Sequence, residues 1–302
     1  MTIDVHQHLW PEPFLAALRA RRSPPRLDGW ELLLPGERPY AIDPADHDPA
    51  LRAEQARDDG LELALVAPSA ACGLDRLPAS EAVELAAAWL EGARSLPAPF
   101  GAWAMAGTSE PDPHALEHAL DAGAVGLEVA ADVLAAPAGL DHLAPLLDVL
   151  EAARRPLLVH PGPAGGHDSP GRPGWWAPVV PYVAQLHAAW WAWIGGGRAR
   201  HPHLPVCFVA LAGLGPLHGE RMRARGGIGG PVDPLTFVET SSYGTQAVDA
   251  VVRVLGIDVV CHGSDRPYAT PSDPALGEAA RRALRTLNPG RLLAHVPQEV
   301  PA

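Results

Sequence analysis

The sequence has 302 residues, of which 47% are hydrophobic and 19% charged, and its formal net charge at neutral pH is −12. This negative balance disfavours binding to a nucleic-acid backbone, and no apolar run approaches the roughly 18 residues that cross a bilayer. We therefore expect a soluble protein whose partner is a small-molecule substrate, with neither nucleic acid nor a membrane as a partner. The N-terminus has no basic region followed by an apolar one, so the expected location is cytoplasmic.

The basic residues and the cysteines limit the kinds of catalytic and metal chemistry that we expect. All 23 basic residues are arginine, which excludes Schiff-base chemistry, a lysine general base and a metal centre bridged by a carboxylated lysine. Cys72, Cys207 and Cys261 are far apart and form no CxxC pair. Their spacing predicts buried thiols and favours neither a disulfide framework nor a cysteine zinc site.

Eight apolar, β-rich segments alternate with helical patterns along the chain. Near-continuous apolar runs are typical of strands that are covered on both faces, and intervening helices indicate a parallel sheet. We therefore predict an α/β fold in which residues 1–302 form a single domain, a (β/α)8 TIM barrel. The predicted strands lie in segments 2–9, 62–69, 100–107, 125–131, 156–162, 206–213, 236–244 and 259–268.

Two connections are longer than such a barrel needs. They are residues 9–45, after the first strand, and residues 163–205, after the fifth. Extended loops at these places lie at the C-terminal mouth of a barrel, where active sites are built. The second connection holds five of the nine tryptophans at helical spacing, which favours core or subunit packing over a substrate box. It is a candidate homodimer interface.

A pair of histidines, His6 and His8, lies near the end of the first predicted strand. The i, i+2 spacing alone decides little, because His201 and His203 repeat it. His160 ends the fifth predicted strand and Asp265 the eighth. Three imidazoles and a carboxylate at one mouth form a donor set for a divalent metal, whereas the second pair precedes the sixth strand at the opposite end. Taken alone, Asp265 also fits a turn-capping aspartate before proline.

Four stretches together resemble a known family: DVHQHLWP, LLVHPG, GGGRARHPHLPVCFVALAG and GSDRP. They are similar to the amidohydrolase superfamily, in the amidohydrolase-2 branch that includes aminocarboxymuconate-semialdehyde decarboxylase. The resemblance implies one divalent ion, zinc first and manganese second, bound by His6, His8, His160 and Asp265. It also implies a hydrolase of amides or lactones, a hydratase of double bonds, or a decarboxylase of aromatic or unsaturated acids. In each reaction Asp265 would be the catalytic acid/base as well as a ligand.

The chain departs from that family pattern in the sixth strand. Members carry a histidine there, and the matching stretch here has Leu211, which can neither move a proton nor hydrogen-bond an oxyanion. His218 and His262 are candidates to replace it, although a structural role is the favoured interpretation for both. The departure leaves open an alternative, a metal-binding barrel with little or no turnover. A metal-free barrel with incidental histidines is a further alternative.

Other residues near the predicted mouth are candidate substrate contacts. They are Trp103, Glu128, Tyr243 and Arg266. A buried Glu128 needs a partner, whereas strand alternation allows it equally to point outward. Arg266 could hold a substrate carboxylate in a bidentate pair or be exposed.

Overall fold

The computed structural model describes residues 1–164, 172–241, 243–271 and 273–296. The strands are β1 Ile3–His8, β2 Arg26–Asp28, β3 Glu31–Leu33, β4 Tyr40–Ala41, β5 Leu63–Ala67, β6 Phe100–Ala102, β7 Leu127–Ala130, β8 Leu157–His160, β9 Val206–Phe208, β10 Thr236–Glu239 and β11 Val260–Cys261. The helices are α1 Glu12–Ala20, α2 Pro49–Asp58, α3 Ala79–Arg94, α4 Pro113–Asp121, α5 Ala131–Leu134, α6 Pro137–Ala153, α7 Trp176–Val179, α8 Pro181–Ala192, α9 Arg198–Arg200, α10 Gly219–Ala224, α11 Thr245–Leu255, α12 Glu278–Arg282 and α13 Asn288–Leu292.

Eight of the strands are parallel to their neighbours, and each lies inside one of the eight predicted segments. β1, β5 and β6 form one sheet, and β7 to β11 form a second in which sequential strands pair side by side. An isolated parallel bridge joins Ala104 to Leu127 between β6 and β7. On the other side Val5 N donates to His262 O at 3.0 Å, and Asp265 N to His6 O at 3.0 Å. The α/β prediction is confirmed, and backbone contacts connect the two sheets along both edges.

The first long connection contains structure that the sequence pattern did not reveal. After α1 the chain forms a three-stranded antiparallel sheet from β2, β3 and β4, and then enters α2. Leu27 and Leu32 of this small sheet are buried in an apolar cluster with Trp10 and Trp89. Because these strands have only two or three residues each, their alternation is too short to be distinguished from a loop.

Aspartate side chains cap the N-termini of two helices, and a stripe of buried leucines marks the inner face of a third. The Asp48 carboxylate caps α2 by accepting from Ala50 N at 2.8 Å and Leu51 N at 3.1 Å. Asp112 caps α4 in the same way. In α6 the buried leucines recur every three or four residues, which is the stripe that a helix packed on a sheet requires: Leu140, Leu143, Leu146, Leu147 and Leu150.

The tryptophan-rich connection after β8 mostly serves the core. Trp190 and Trp193 are buried in the main apolar cluster, whereas Trp175 is 59% exposed. The three cysteines are free and buried, as predicted. None of the helices in the described ranges combines the length and the apolar character that crossing a bilayer would demand.

Candidate metal centre

Four predicted ligands converge at the C-terminal ends of the strands. His6 and His8 end β1, His160 ends β8, and Asp265 follows β11. One donor atom from each side chain lies within 4.8 Å of every other, and within the described ranges this is the one group of three or more such side chains that could hold a metal. The three imidazoles are buried and the Asp265 side chain is 24% exposed. Asp265 is therefore the most exposed of the four side chains.

The Nδ1 atoms of the three histidines all have partners that orient the rings. His8 Nδ1 donates to Ala67 O at 3.0 Å and His160 Nδ1 to Pro161 O at 2.9 Å, because a carbonyl can only accept. His6 Nδ1 lies 3.1 Å from Ser241 Oγ. With a proton on Nδ1, each neutral ring keeps its lone pair on Nε2, the arrangement that metal-ligating histidines use.

The spacing of the donor atoms fits a metal ion. His6 Nε2 and His8 Nε2 are 3.2 Å apart, and Asp265 Oδ1 is 3.3 Å from His8 Nε2. In a tetrahedral zinc site with bonds of about 2.0–2.2 Å, neighbouring donors are about 3.3–3.6 Å apart. Two imidazole lone pairs facing each other at 3.2 Å repel unless a cation or a proton lies between them. These two donor pairs therefore fit a divalent ion in distance and in charge, and all four donor atoms lie within 4.8 Å of one another.

The electrostatics of the site agree with this arrangement. Burial disfavours a charge on His6, but the hydrogen-bonded and charged Glu239, together with Asp265 and Glu128, raises the pKa of His6 to about 9. Burial lowers the pKa of His8, and burial with the neighbouring His6 and His8 lowers that of His160 well below its ordinary value. Burial would raise the pKa of Asp265, but the three histidines lower it. These shifts describe the site without an ion: the surrounding carboxylates favour a positive charge at His6, the place that a bound cation would take, and the histidines favour an ionised Asp265.

The four candidate substrate contacts lie in different surroundings. Trp103 packs in the core, and its indole N–H donates to Val5 O at 3.0 Å, so it has no free donor for a ligand. Arg266 forms an ion pair with Asp59 at 2.9 Å. Tyr243 is half-buried, and burial raises the pKa of its hydroxyl. The structure brings none of these three into the ligand cluster.

Glu128 is the candidate that the structure brings closest to the cluster. It points inward from β7, where its Oε1 accepts from Ala70 N at 3.3 Å and lies 3.8 Å from His160 Nδ1. Burial raises the pKa of this carboxyl to about 7. Among the described residues, the partners of the buried Glu128 thus include the N–H of Ala70 and the ring of His160.

After β9, Leu211 occupies the position at which the family resemblance predicts a histidine. Leu211 is completely buried in the main apolar cluster. His218 is exposed and packs edge-on against His187 with ring centroids 4.8 Å apart. His262 Nε2 lies 3.8 Å from Asp4 Oδ2. Neither of these two histidines belongs to the four-residue cluster.

Sequence patterns overlooked several residues that shape the site. Glu239 and Ser241 lie beside Nδ1 of His6. Arg52 donates to His8 O at 2.8 Å and to Gln7 Oε1 at 2.7 Å. Tyr182 of α8 has its hydroxyl pKa raised by burial and by nearby acidic groups that include Asp265. The sequence signal that could have found Glu239 is its position, a glutamate at the end of the buried strand TFVE.

The second HxH pair lies away from the ligand cluster. His201 is buried with its Nδ1 3.4 Å from Glu151, and His203 is exposed. Identical spacing therefore leads to two different surroundings.

No family model matches the sequence, and no curated protein matches it. Solved structures do match over nearly the whole chain. The apo IDCase of Metarhizium anisopliae has a TM-score of 0.78 at 16% identity, covering 98% of this chain and 97% of that one. The 2,6-dihydroxybenzoate decarboxylase from Rhizobium has a TM-score of 0.67 at 18% identity, with coverages of 97% and 98%. The 5-carboxyvanillate decarboxylase from Novosphingobium aromaticivorans, complexed with manganese and 4-hydroxy-3-methoxy-5-nitrobenzoic acid, has a TM-score of 0.69 at 16% identity, with coverages of 97% and 96%. These likenesses show that the chain has the fold of these proteins from end to end.

Proposed function

We propose that this protein is a metal-dependent enzyme of the amidohydrolase superfamily, in the amidohydrolase-2 branch, and that it decarboxylates or hydrolyses a small cyclic or aromatic carboxylate. The observation that carries the proposal is the convergence of His6, His8, His160 and Asp265 with their donor atoms within 4.8 Å. The resemblance of the sequence motifs and the likeness to three solved structures, two of them decarboxylases, support it.

In this proposal the four side chains hold one divalent ion. When bound, such an ion polarises a carbonyl or carboxylate oxygen and lowers the pKa of a coordinated water molecule. The remaining chemistry belongs to the chain. Asp265, whose pKa is lowered by the histidines around it, is ionised at neutral pH and able to accept a proton from a group beside the ion. Glu128, whose Oε1 lies 3.8 Å from His160 Nδ1, is the candidate substrate contact beside the proposed ligands.

The surroundings of Leu211 bear on the type of reaction. A buried leucine offers no proton carrier from the sixth parallel strand. Decarboxylation needs a proton delivered to carbon and no water nucleophile, so it depends less on a base at this position than hydrolysis does. The same leucine motivates the alternative function, a metal-binding barrel without turnover, but the decarboxylases among the structurally similar proteins favour an enzyme.

Further properties follow as parts of the same proposal. The backbone contacts between β6 and β7 and between β11 and β1 support a closed (β/α)8 barrel. Zinc is the proposed ion because nitrogen donors predominate, and manganese, present in the Novosphingobium complex, is the second choice. A cytoplasmic location, a single domain and a homodimer remain predictions.

Metal content followed by turnover tests the proposal. Purified protein is stripped with chelator, reloaded with zinc or manganese and analysed for bound metal. We expect about one ion per chain in the wild type and in His203→Ala, a matched control from the second HxH pair, and a loss of bound metal in His8→Ala. Wild-type protein that binds no metal would overturn the proposal.

A substrate screen then separates the two functions. Reloaded wild type and Asp265→Asn are assayed for carbon dioxide release from aromatic acids and for hydrolysis of lactones and amides. We expect turnover that is lost in Asp265→Asn. Metal binding without turnover of any compound would favour the binding protein.

A further inference from the structure

Glu239 is a buried carboxylate that none of the proposed catalytic steps uses. It ends β10 and is completely inaccessible, and both of its oxygens are engaged. Oε1 accepts from Ala210 N at 2.7 Å and lies 3.5 Å from His6 Nδ1, while Oε2 accepts from Ser241 N at 2.8 Å and from Ser241 Oγ at 2.6 Å. A buried carboxylate is costly unless its partners are well placed, so this position has a specific role.

The direction of the hydrogen bonds can be derived from the chemistry of the groups. An ionised carboxylate only accepts, so the single hydroxyl proton of Ser241 goes to Glu239. The Ser241 oxygen is then left to accept from His6 Nδ1–H at 3.1 Å. Glu239 thus sets the direction of the Ser241 hydroxyl, and Ser241 in turn keeps the His6 lone pair on Nε2.

His6 differs from the other two histidines in this respect. His8 and His160 are oriented by the backbone carbonyls of Ala67 and Pro161, which no substitution removes. The orientation of His6 depends on two side chains. Of the three rings, His6 is therefore the one whose tautomer a substitution of its hydrogen-bond partners can change.

The space around Glu239 is restricted in a way that fits this role. A Cβ built on Gly263, beside β11, would lie 1.8 Å from Glu239 Oε2. On the other side, Glu239 holds the N–H of Ala210, where five successive residues, 210–214, adopt the left-handed conformation. Because left-handed backbone is unfavourable for residues other than glycine, this turn requires anchoring from its surroundings.

We infer that Glu239, acting through Ser241, is a positioning residue that fixes the tautomer and orientation of His6 for metal binding and anchors the turn after β9. The inference rests on the proposed metal site. It concerns the affinity of the site for its ion, which can be measured without any substrate.

The test compares metal affinities by competition with a chromophoric chelator for zinc and for manganese. Loss of a group that orients a ligand histidine typically weakens metal binding 10- to 100-fold. We expect that loss in Ser241→Ala and in Glu239→Gln, whose amide can donate to Ser241 and reverse the hydroxyl. Ser241→Thr keeps the hydroxyl and should restore affinity to within a few fold of wild type.

The matched control is Thr240→Val, at the residue between Glu239 and Ser241 that directly follows β10. The Thr240 hydroxyl is also buried, but it pairs with the backbone of Gly263, donating to Gly263 O at 3.2 Å and accepting from Gly263 N at 3.3 Å. We expect its metal affinity to stay within about twofold of wild type, even if its thermal midpoint falls.

The outcomes separate this inference from the proposed function. Wild type that binds one ion, with Ser241→Ala binding it within twofold as tightly, would overturn the inference and leave the function standing. Wild type that binds none would overturn both. Should Ser241→Ala fail to fold, Ser241→Cys is judged by the same thresholds, because a thiol is a weak donor and acceptor.

Discussion

The stability of the protein should depend on pH through His47, a buried histidine beside the first long connection. The His47 ring is nearly parallel to those of Trp10 and Trp30, with centroids 4.9 Å and 6.4 Å away, and its Nδ1 accepts from Trp10 N at 3.0 Å. Burial, with nearby Arg52, lowers the pKa of His47 to about 3 from an ordinary value of 6.5. The folded protein therefore keeps this ring neutral under conditions in which the unfolded chain protonates it.

The sign and size of the effect follow by linkage. Between pH 6.5 and pH 3 the unfolded state binds the extra proton, so the free energy of unfolding falls as the pH is lowered. With these two pKa values, the loss attributable to His47 is about 2 kcal/mol between pH 7 and pH 5. Other buried histidines, including His8 and His160, add their own losses, so the contribution has to be isolated by substitution.

The perturbation is His47→Asn, because the asparagine oxygen can replace Nδ1 as the acceptor for Trp10 N. Urea unfolding of both proteins is measured at pH 7 and pH 5 in the presence of chelator. We expect the variant to be less stable at pH 7 but to lose about 2 kcal/mol less than wild type on acidification. Equal losses in the two proteins would refute the reasoning.

Three further substitutions test other parts of the structure. Gly263→Ala should displace the Glu239 carboxylate and lower the free energy of unfolding in urea by at least about 2 kcal/mol. Its control, Gly290→Ala, has open space around the new methyl group and should be neutral or slightly stabilising. A Gly263→Ala protein as stable as wild type would contradict the packing described. Leu211→His should bury an imidazole in the apolar core, destabilise the protein by about 2–4 kcal/mol and leave turnover no faster. A faster enzyme would instead show that this position faces the substrate. Asp48→Ala should cost about 1 kcal/mol through the loss of the α2 cap, and calorimetry showing no change would exclude a role for that cap.

The sequence by itself determined the eight parallel strands and the chain positions of the four side chains proposed to bind a metal. Apolar runs of four to eight residues separated by helical patterns are local signals, because a strand covered on both faces must be apolar throughout. Strand ends then place His6, His8, His160 and Asp265 at the same end of the strands, since parallel strands share a direction. Caps such as Asp48 are local too, being set by residues two and three positions away.

Only the tertiary structure decided which groups orient those donors. Ser241 and Glu239 are more than 230 residues from His6, and no periodic pattern links them. Whether Glu128 points inward depends on the exact register of β7 against β8, which alternation leaves open by one residue. The left-handed turn at 210–214 is equally invisible in sequence, because residues other than glycine adopt it only when surrounding contacts hold them there. Local patterns thus determine which elements form, whereas long-range packing determines how a site built from their ends is held in place.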